Sequence, residues 1–182
     1  MLNAKELARK RDQFYTQEIV AKNCLEQLFL LLKKEDFYWI EPSAGTGSFS
    51  NLLLNNNLSF SAYDIEPKST YIEQQDFLQL EEQVLFKKTN KPIIIVGNPP
   101  FGKNASLAIK FFNKAAKFSQ YIAMIVPATF EKQSVKYRLD LSMHLVKSIK
   151  LENDLFLFDG KLVPVPTVFQ IWEKKEVKRI KN

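Results

Sequence analysis

Cysteine and histidine are nearly missing from this chain, with Cys24 and His144 the sole examples of each. One thiol excludes an internal disulfide, and a lone thiol with a lone imidazole cannot assemble a structural zinc site. Long apolar runs are missing too. No stretch approaches the roughly 18 apolar residues of a membrane span, and Met1-Leu2-Asn3-Ala4-Lys5-Glu6 lacks the apolar core of a secretory signal. The expectation is a cytoplasmic chain without membrane contact. Acids are in deficit, 20 against 26 Lys and Arg, leaving a formal charge of +6. That excess suits a polyanionic partner such as nucleic acid, and equally a solvated surface. Glycine is scarce as well: of five, Gly45, Gly47, Gly97 and Gly102 fall in two short stretches.

The second of these stretches is the more distinctive. Pro92 introduces residues 93–96, uniformly apolar and β-branched, the composition of a strand covered on both faces of a parallel sheet. Gly97 then clears space for a ligand or another backbone. In Asn98-Pro99-Pro100-Phe101 the two prolines lack N–H groups and fix φ, and Pro100 forces Pro99 into an extended conformation. Such a turn presents the Asn98 side-chain oxygen and the Pro99 carbonyl beside the flat face of Phe101. Two fixed acceptors suit a conjugated NH2 group, because binding its two hydrogens localises the nitrogen lone pair for attack. A turn that merely stops a strand is the alternative.

The first stretch reads as strand, glycine turn, helix: residues 37–40, then Glu41-Pro42-Ser43-Ala44-Gly45-Thr46-Gly47, then an apolar helix through Leu52. Gly45 and Gly47 let a ligand approach the backbone at a helix N-terminus. Ser50 stands where the dinucleotide fingerprint needs a third glycine. Residues 60–63 alternate as a strand ending at Asp64, placed to accept from a ribose diol, with Glu66 in reserve. Ile65 offers an apolar face for adenine, and Asp76, beside Phe77, an acceptor for its amine or a helix cap.

Elsewhere the patterns are structural. Residues 4–11 favour helix, and Thr16 reads as the cap of a helix over 17–33 whose stripe includes Cys24 and Leu28, with Phe14 and Tyr15 as an apolar staple. Residues 105–116 form a helical core stripe and 121–126 a buried strand, with Phe130 core or pocket wall. Mixed helical periodicity over 131–147 makes His144 a bystander. Residues 155–158 and 167–172, with the Asp159-Gly160 turn signal, suggest a closing antiparallel pair. Residues 173–182 are a basic tail, read as a solvated end or a phosphate contact. The sum is one α/β domain over 1–182, 46% hydrophobic, with a doubly wound sheet whose ligands bind at strand carboxyl ends.

Four blocks in order, Phe14-Tyr15-Thr16, Glu41 to Gly47, Asp64-Ile65 with Asp76-Phe77, and Asn98 to Phe101, resemble those of S-adenosylmethionine-dependent amino methyltransferases. The closest likeness is to the gamma-type N6-adenine DNA enzymes. It implies a Rossmann-like class I methyltransferase fold, mostly parallel with a C-terminal antiparallel hairpin and helices on both faces, the first 35 residues being a helical segment. It further implies that Tyr15, Thr16, Glu41, Pro42, Ala44, Gly45 and Gly47 hold the methionine part of S-adenosylmethionine, Asp64 its ribose, and Ile65, Asp76 and Phe77 its adenine. Asn98 with Pro99 and Pro100 would bind the target amine beside the cofactor, and Phe101 would stack on the base. The DNA enzymes usually carry a further target-recognition region, and none is visible here. Exposed bases, a specificity subunit or an RNA substrate are the consequences. The same motif also serves guanine N2 in RNA and protein glutamine N5, while an inactive nucleic-acid-binding subunit is the non-enzymatic alternative.

Overall fold

A computed structural model describes residues 18–151, 155–158 and 161–181. The Phe14-Tyr15-Thr16 block and the helix expected over 4–11 lie outside the described residues. In chain order the elements are helix α1 (Glu18–Leu31), strand β1 (Tyr38–Glu41), α2 (Ser48–Asn55), β2 (Phe60–Asp64), β3 (Ile72–Gln74), α3 (Glu82–Lys88), β4 (Ile93–Gly97) and α4 (Ser106–Ala116). They continue with β5 (Tyr121–Pro127), α5 (Gln133–Lys136), β6 (Met143–Leu151), β7 (Leu155–Phe158), β8 (Lys161–Pro164) and β9 (Thr167–Lys174). Seven strands form one sheet in the order β3-β2-β1-β4-β5-β9-β6. Strands β3 to β5 are parallel, and β9 runs antiparallel to both of its neighbours.

The uniformly apolar strand β4 is buried at all five positions because each face carries its own core. Ile94 and Val96 face one cluster, with Trp39, Ala123 and Phe169, under Leu25 and Leu28 of α1 and Phe49 and Leu53 of α2. Ile93 and Ile95 face the other, under Phe111 and Phe112 of α4. The period-2 alternation of a strand thus feeds two helical layers. The expected α/β sheet with helices on both faces is what forms. Among the described residues, no helix is long and apolar enough to cross a membrane.

Three expectations need correction. The closing pair is not 155–158 with 167–172: β9 fills the slot between β5 and β6, while β7 pairs with β8 in a separate two-stranded sheet. Residues 131–147 are not one helix. A short α5 gives way to β6, in which His144 pairs opposite Glu173 and its Nε2 lies 2.7 Å from the Val177 carbonyl oxygen. Nor is the tail simply solvated. Arg179 donates to the carbonyls of Met143 (2.6 Å), Asp140 (3.1 Å) and Leu139 (3.3 Å), over the Trp172 ring. Burial there pushes its guanidinium below the usual arginine range.

Candidate active site

Both chemistry-bearing turns leave the carboxyl ends of neighbouring strands. β1 pairs parallel with β4, Tyr38 opposite Ile93 through Ile40 opposite Ile95, so Glu41 to Gly47 and Asn98 to Phe101 begin side by side. Between these two strands the order reverses, since β2 and β3 lie on one side and β5 on the other. That reversal opens the crevice in which ligands of doubly wound sheets bind. Gly97 sits at its bottom. A Cβ there would lie 3.4 Å from both Glu41 Cγ and Pro42 Cδ, in van der Waals contact, so the two turns pack closely at this point. The Ser43 hydroxyl closes the join by donating to the Asn98 backbone carbonyl at 3.1 Å. Pro99 is buried, and Pro100 and Asn98 are half-buried, with Asn98 Oδ1 screened from solvent. Phe101 is half-buried against the core, and its carbonyl accepts from Leu107 N (3.0 Å) and Ala108 N (3.2 Å) at the start of α4.

The glycine turn is held from three sides. Gly47 takes φ +85°, and a Cβ on it would overlap the Tyr71 hydroxyl, which donates to Asn51. Only glycine enters such a left-handed turn cheaply. Because Gly47 caps α2 without a side chain, the orphan amides of the helix start need another acceptor. Glu41 supplies it. Its Oε2 accepts from Ser50 N at 2.8 Å and from the Ser50 hydroxyl, and the residue is 2% exposed. Burial, partly opposed by those hydrogen bonds and assisted by the nearby Asp64 charge, pushes its carboxyl up to about 8. Asp64, at the end of β2, splits its oxygens: Oδ2 accepts from Gly45 N (2.8 Å) and Oδ1 from Glu66 N (2.8 Å). Ala44 N donates to the Tyr63 carbonyl at 2.8 Å, so the turn is laced to β2 as well.

Beyond β2 the expected adenine residues separate. Ile65 is 50% exposed next to Asp64, an apolar surface at the mouth of the crevice. The Asp76 side chain accepts from Leu78 N at 2.9 Å, capping the single turn Phe77–Gln79. Phe77 is buried, its ring stacked on Phe111 at 5.6 Å between centroids. Its ring is therefore part of the core. Phe130 is fully buried beside Phe112 and is core. The sequence reasoning assigned nothing to Ser43, Ser50, Asn51 or Tyr71. Ser43 and Ser50 lie inside or next to the glycine block, where a hydroxyl among glycines is the available signal. Tyr71 arrives from the turn just before β3 and has no local signal.

The family model of the EDM2 methyltransferase-like domain matches residues 40–177, from the end of β1 past β9 and across both turns. The chain belongs to this family. Protein ENHANCED DOWNY MILDEW 2 of Arabidopsis thaliana is 30% identical over an alignment covering 75% of this chain and 12% of that protein. The EDM2-like domain described here thus spans about an eighth of the length of that relative. Among solved structures, PH1948 of Pyrococcus horikoshii, a proposed RNA methyltransferase, superposes with a TM-score of 0.67 at 17% identity, covering 91% of this chain and 88% of that one. TrmN of Thermus thermophilus gives 0.63 at 16%, covering 94% and 53%. Magnesium protoporphyrin IX methyltransferase of Synechocystis, solved with S-adenosylmethionine bound, gives 0.57 at 8%, covering 93% and 89%. At these identities the likeness is one of fold.

Proposed function

We propose that this EDM2-like domain transfers a methyl group from S-adenosylmethionine to the exocyclic N6 amine of adenine in nucleic acid. The observation that carries the reading is the joining of the glycine turn and the Asn-Pro-Pro-Phe turn across the β1/β4 crevice by the Ser43 hydroxyl. A nucleoside-methionine cofactor fits the residues present: left-handed backbone at Gly45 (φ +55°) and Gly47, a fixed carboxylate at Asp64 and an exposed Ile65 beside it. In this reading Glu41, Pro42, Ala44, Gly45 and Gly47 shape the methionine site, Asp64 holds the ribose, and Ile65, Asp76 and the Phe77 backbone meet the adenine. When bound, the cofactor supplies an electrophilic methyl group.

The chain's own residues do the rest by positioning. Ser43 donates to the Asn98 backbone carbonyl and so holds the Asn98–Pro99 peptide, from which the Asn98 side chain and the Pro99 carbonyl project. Those two oxygens accept the hydrogens of the target amine and localise its lone pair toward the glycine turn. The exposed part of Phe101 lies against the base. As the new N–C bond forms, the bond between the methyl carbon and sulfur would break, leaving a thioether, and the amine's surplus proton would pass to water. The chain is one methyltransferase domain in this account, and target choice rests with a specificity partner or with bases already exposed.

Methyl-labelled cofactor incubated with total DNA, total RNA and protein, followed by digestion of each product, is the test. N6-methyladenine in DNA or RNA supports the proposal and selects the polymer. Label in N2-methylguanine or methylglutamine replaces the substrate, and cofactor binding with no label in any pool sinks the unaided activity.

A further inference from the structure

Among the described residues the basic excess does not gather at the crevice. Around the carboxyl ends of the strands, Asp64, Glu66, Asp76, Glu81 and Glu131 outnumber Lys68, Lys103, Lys132 and Lys150. Lysines gather at the opposite end: Lys33 ahead of β1, Lys87 and Lys91 ahead of β4, Lys117 ahead of β5, and Lys174 and Lys175 closing the antiparallel β9. The acids there are Glu35, Asp36, Asp140, Glu173 and Glu176, with Asp140 close to Lys174. Asp36 faces Lys33 at 3.9 Å, and Glu173 accepts from the Tyr121 hydroxyl at 2.9 Å. Lysines in a last helical turn complement the helix dipole, which accounts for Lys87. It does not account for Lys91 and Lys175 in loops or Lys174 on a strand.

A groove of about 590 Å³ opens at this end, lined by Phe86, Thr89, Asn90, Lys91, Pro92 and Phe118, with Ile93 behind. Phe86 is 56% exposed although it is a large aromatic residue on an amphipathic helix. Lys91 lines the groove with its ammonium on the Glu35 carbonyl at 2.7 Å. From Ile93 the hydrogen bonds run to Gln120 N (2.8 Å), from Gln120 Nε2 to the Lys174 carbonyl (3.1 Å), and from Lys174 Nζ to the Lys117 carbonyl (3.5 Å). Lys91 belongs to the lining itself, and Lys87 and Lys117 directly neighbour the lining residues Phe86 and Phe118 in the chain.

We infer that this groove, at the amino ends of the strands, is a second binding site that takes single-stranded nucleic acid, with a base on Phe86 and phosphates on the surrounding lysines. The occupant follows from charge and shape together: an aromatic platform beside a basic rim binds strands whose bases are unpaired, without reading their sequence. A strand of seven residues such as β5 spans about 23 Å, so the groove and the crevice are separate contacts. The groove holds a polymer that the acidic mouth does not attract. The inference stands whether or not the domain transfers methyl groups, because it concerns binding alone.

Fluorescence anisotropy of the full chain with labelled twelve-nucleotide strands of RNA and DNA, and a duplex of the same length, at 50 and 200 mM salt, tests it. Phe86→Ala should weaken single-strand binding about tenfold with an unchanged salt slope, given roughly 1–3 kcal/mol per stacked base. Lys87→Glu with Lys117→Glu should weaken it more and flatten the slope by about 1.4, at ~0.7 per phosphate contact. Thermal unfolding of each variant at the parent temperature establishes that it is folded. Folded variants that bind like the parent, or a preference for duplex that Phe86→Ala leaves untouched, would overturn the site. The RNA and DNA arms report which polymer it prefers.

Discussion

Glu41→Gln isolates the one strongly shifted carboxyl in the candidate site. The carboxyl lies at about 8 in the fold against 4.5 ordinarily, so between these values the folded chain holds a proton that the unfolded chain has released. Stability from this group is therefore complete below about pH 4.5 and is lost as pH rises through 8. At 1.36 kcal/mol per pH unit, the loss across the window is on the order of 5 kcal/mol as an upper bound, comparable with the whole stability of a small domain. Gln keeps the shape and an oxygen for the Ser50 amide and hydroxyl, but it does not ionise. Urea unfolding followed by the fluorescence of Trp39 and Trp172, both fully buried, should give similar stabilities for parent and variant near pH 5. By pH 9 the variant should be ahead by at least 1–2 kcal/mol. Parallel pH profiles would refute the buried, protonated carboxyl. Equal loss at every pH would instead mean that Gln cannot satisfy the start of α2.

Four further outcomes follow from the geometry. Asn98→Ala should abolish turnover while leaving cofactor affinity, measured by calorimetry, within about threefold; retained turnover would remove Asn98 from the chemistry. Gly47→Ala should cost roughly 1–2 kcal/mol for the left-handed backbone plus the overlap with the Tyr71 hydroxyl. Adding Tyr71→Phe should restore part of that loss in urea unfolding, and strict additivity would show that the hydroxyl is not in the way. Arg179→Met should lower stability by about 1–3 kcal/mol through its lost carbonyl contacts, and a neutral result would mean that the tail contributes nothing to the β6 turn.

The two turns were legible because their causes are local. Glycines at Gly45 and Gly47 and prolines at Pro99 and Pro100 dictate backbone shape from their own covalent structure, and the apolar run before Gly97 reads as a doubly covered strand without knowledge of its neighbours. What was illegible depends on distant partners. β6 is half-exposed along an edge, with a register shift between Leu145 and Lys147, and its mixed pattern imitates a helix. β3 is only three residues long, and two of them are exposed. Arg179 looks like tail charge until Met143 and Trp172 arrive from other elements. Phe77 had the right position for a base contact, but side-chain direction, set by the packing of α4, turned its ring into the core.

Ser43 carries the last consequence. If the hydroxyl joins the cofactor turn to the target turn, its removal should be felt more in turnover than in stability or cofactor affinity. Ser43→Ala leaves the glycine turn tied to β2 through Ala44 N and Asp64, and it leaves Pro99 buried. What it removes is the hydroxyl's hold on the peptide between Asn98 and Pro99. The stability cost of one such hydrogen bond is about 0.5–1.5 kcal/mol. A small misplacement of the acceptors can cost a hundredfold in rate. Ser43→Thr, which keeps a hydroxyl at the same position, should recover most of the turnover, and Ser43→Ala should lower kcat ten- to a hundredfold with the cofactor Kd within about twofold. Equal falls in affinity and rate would place Ser43 in the cofactor site alone, and the two turns would then act independently.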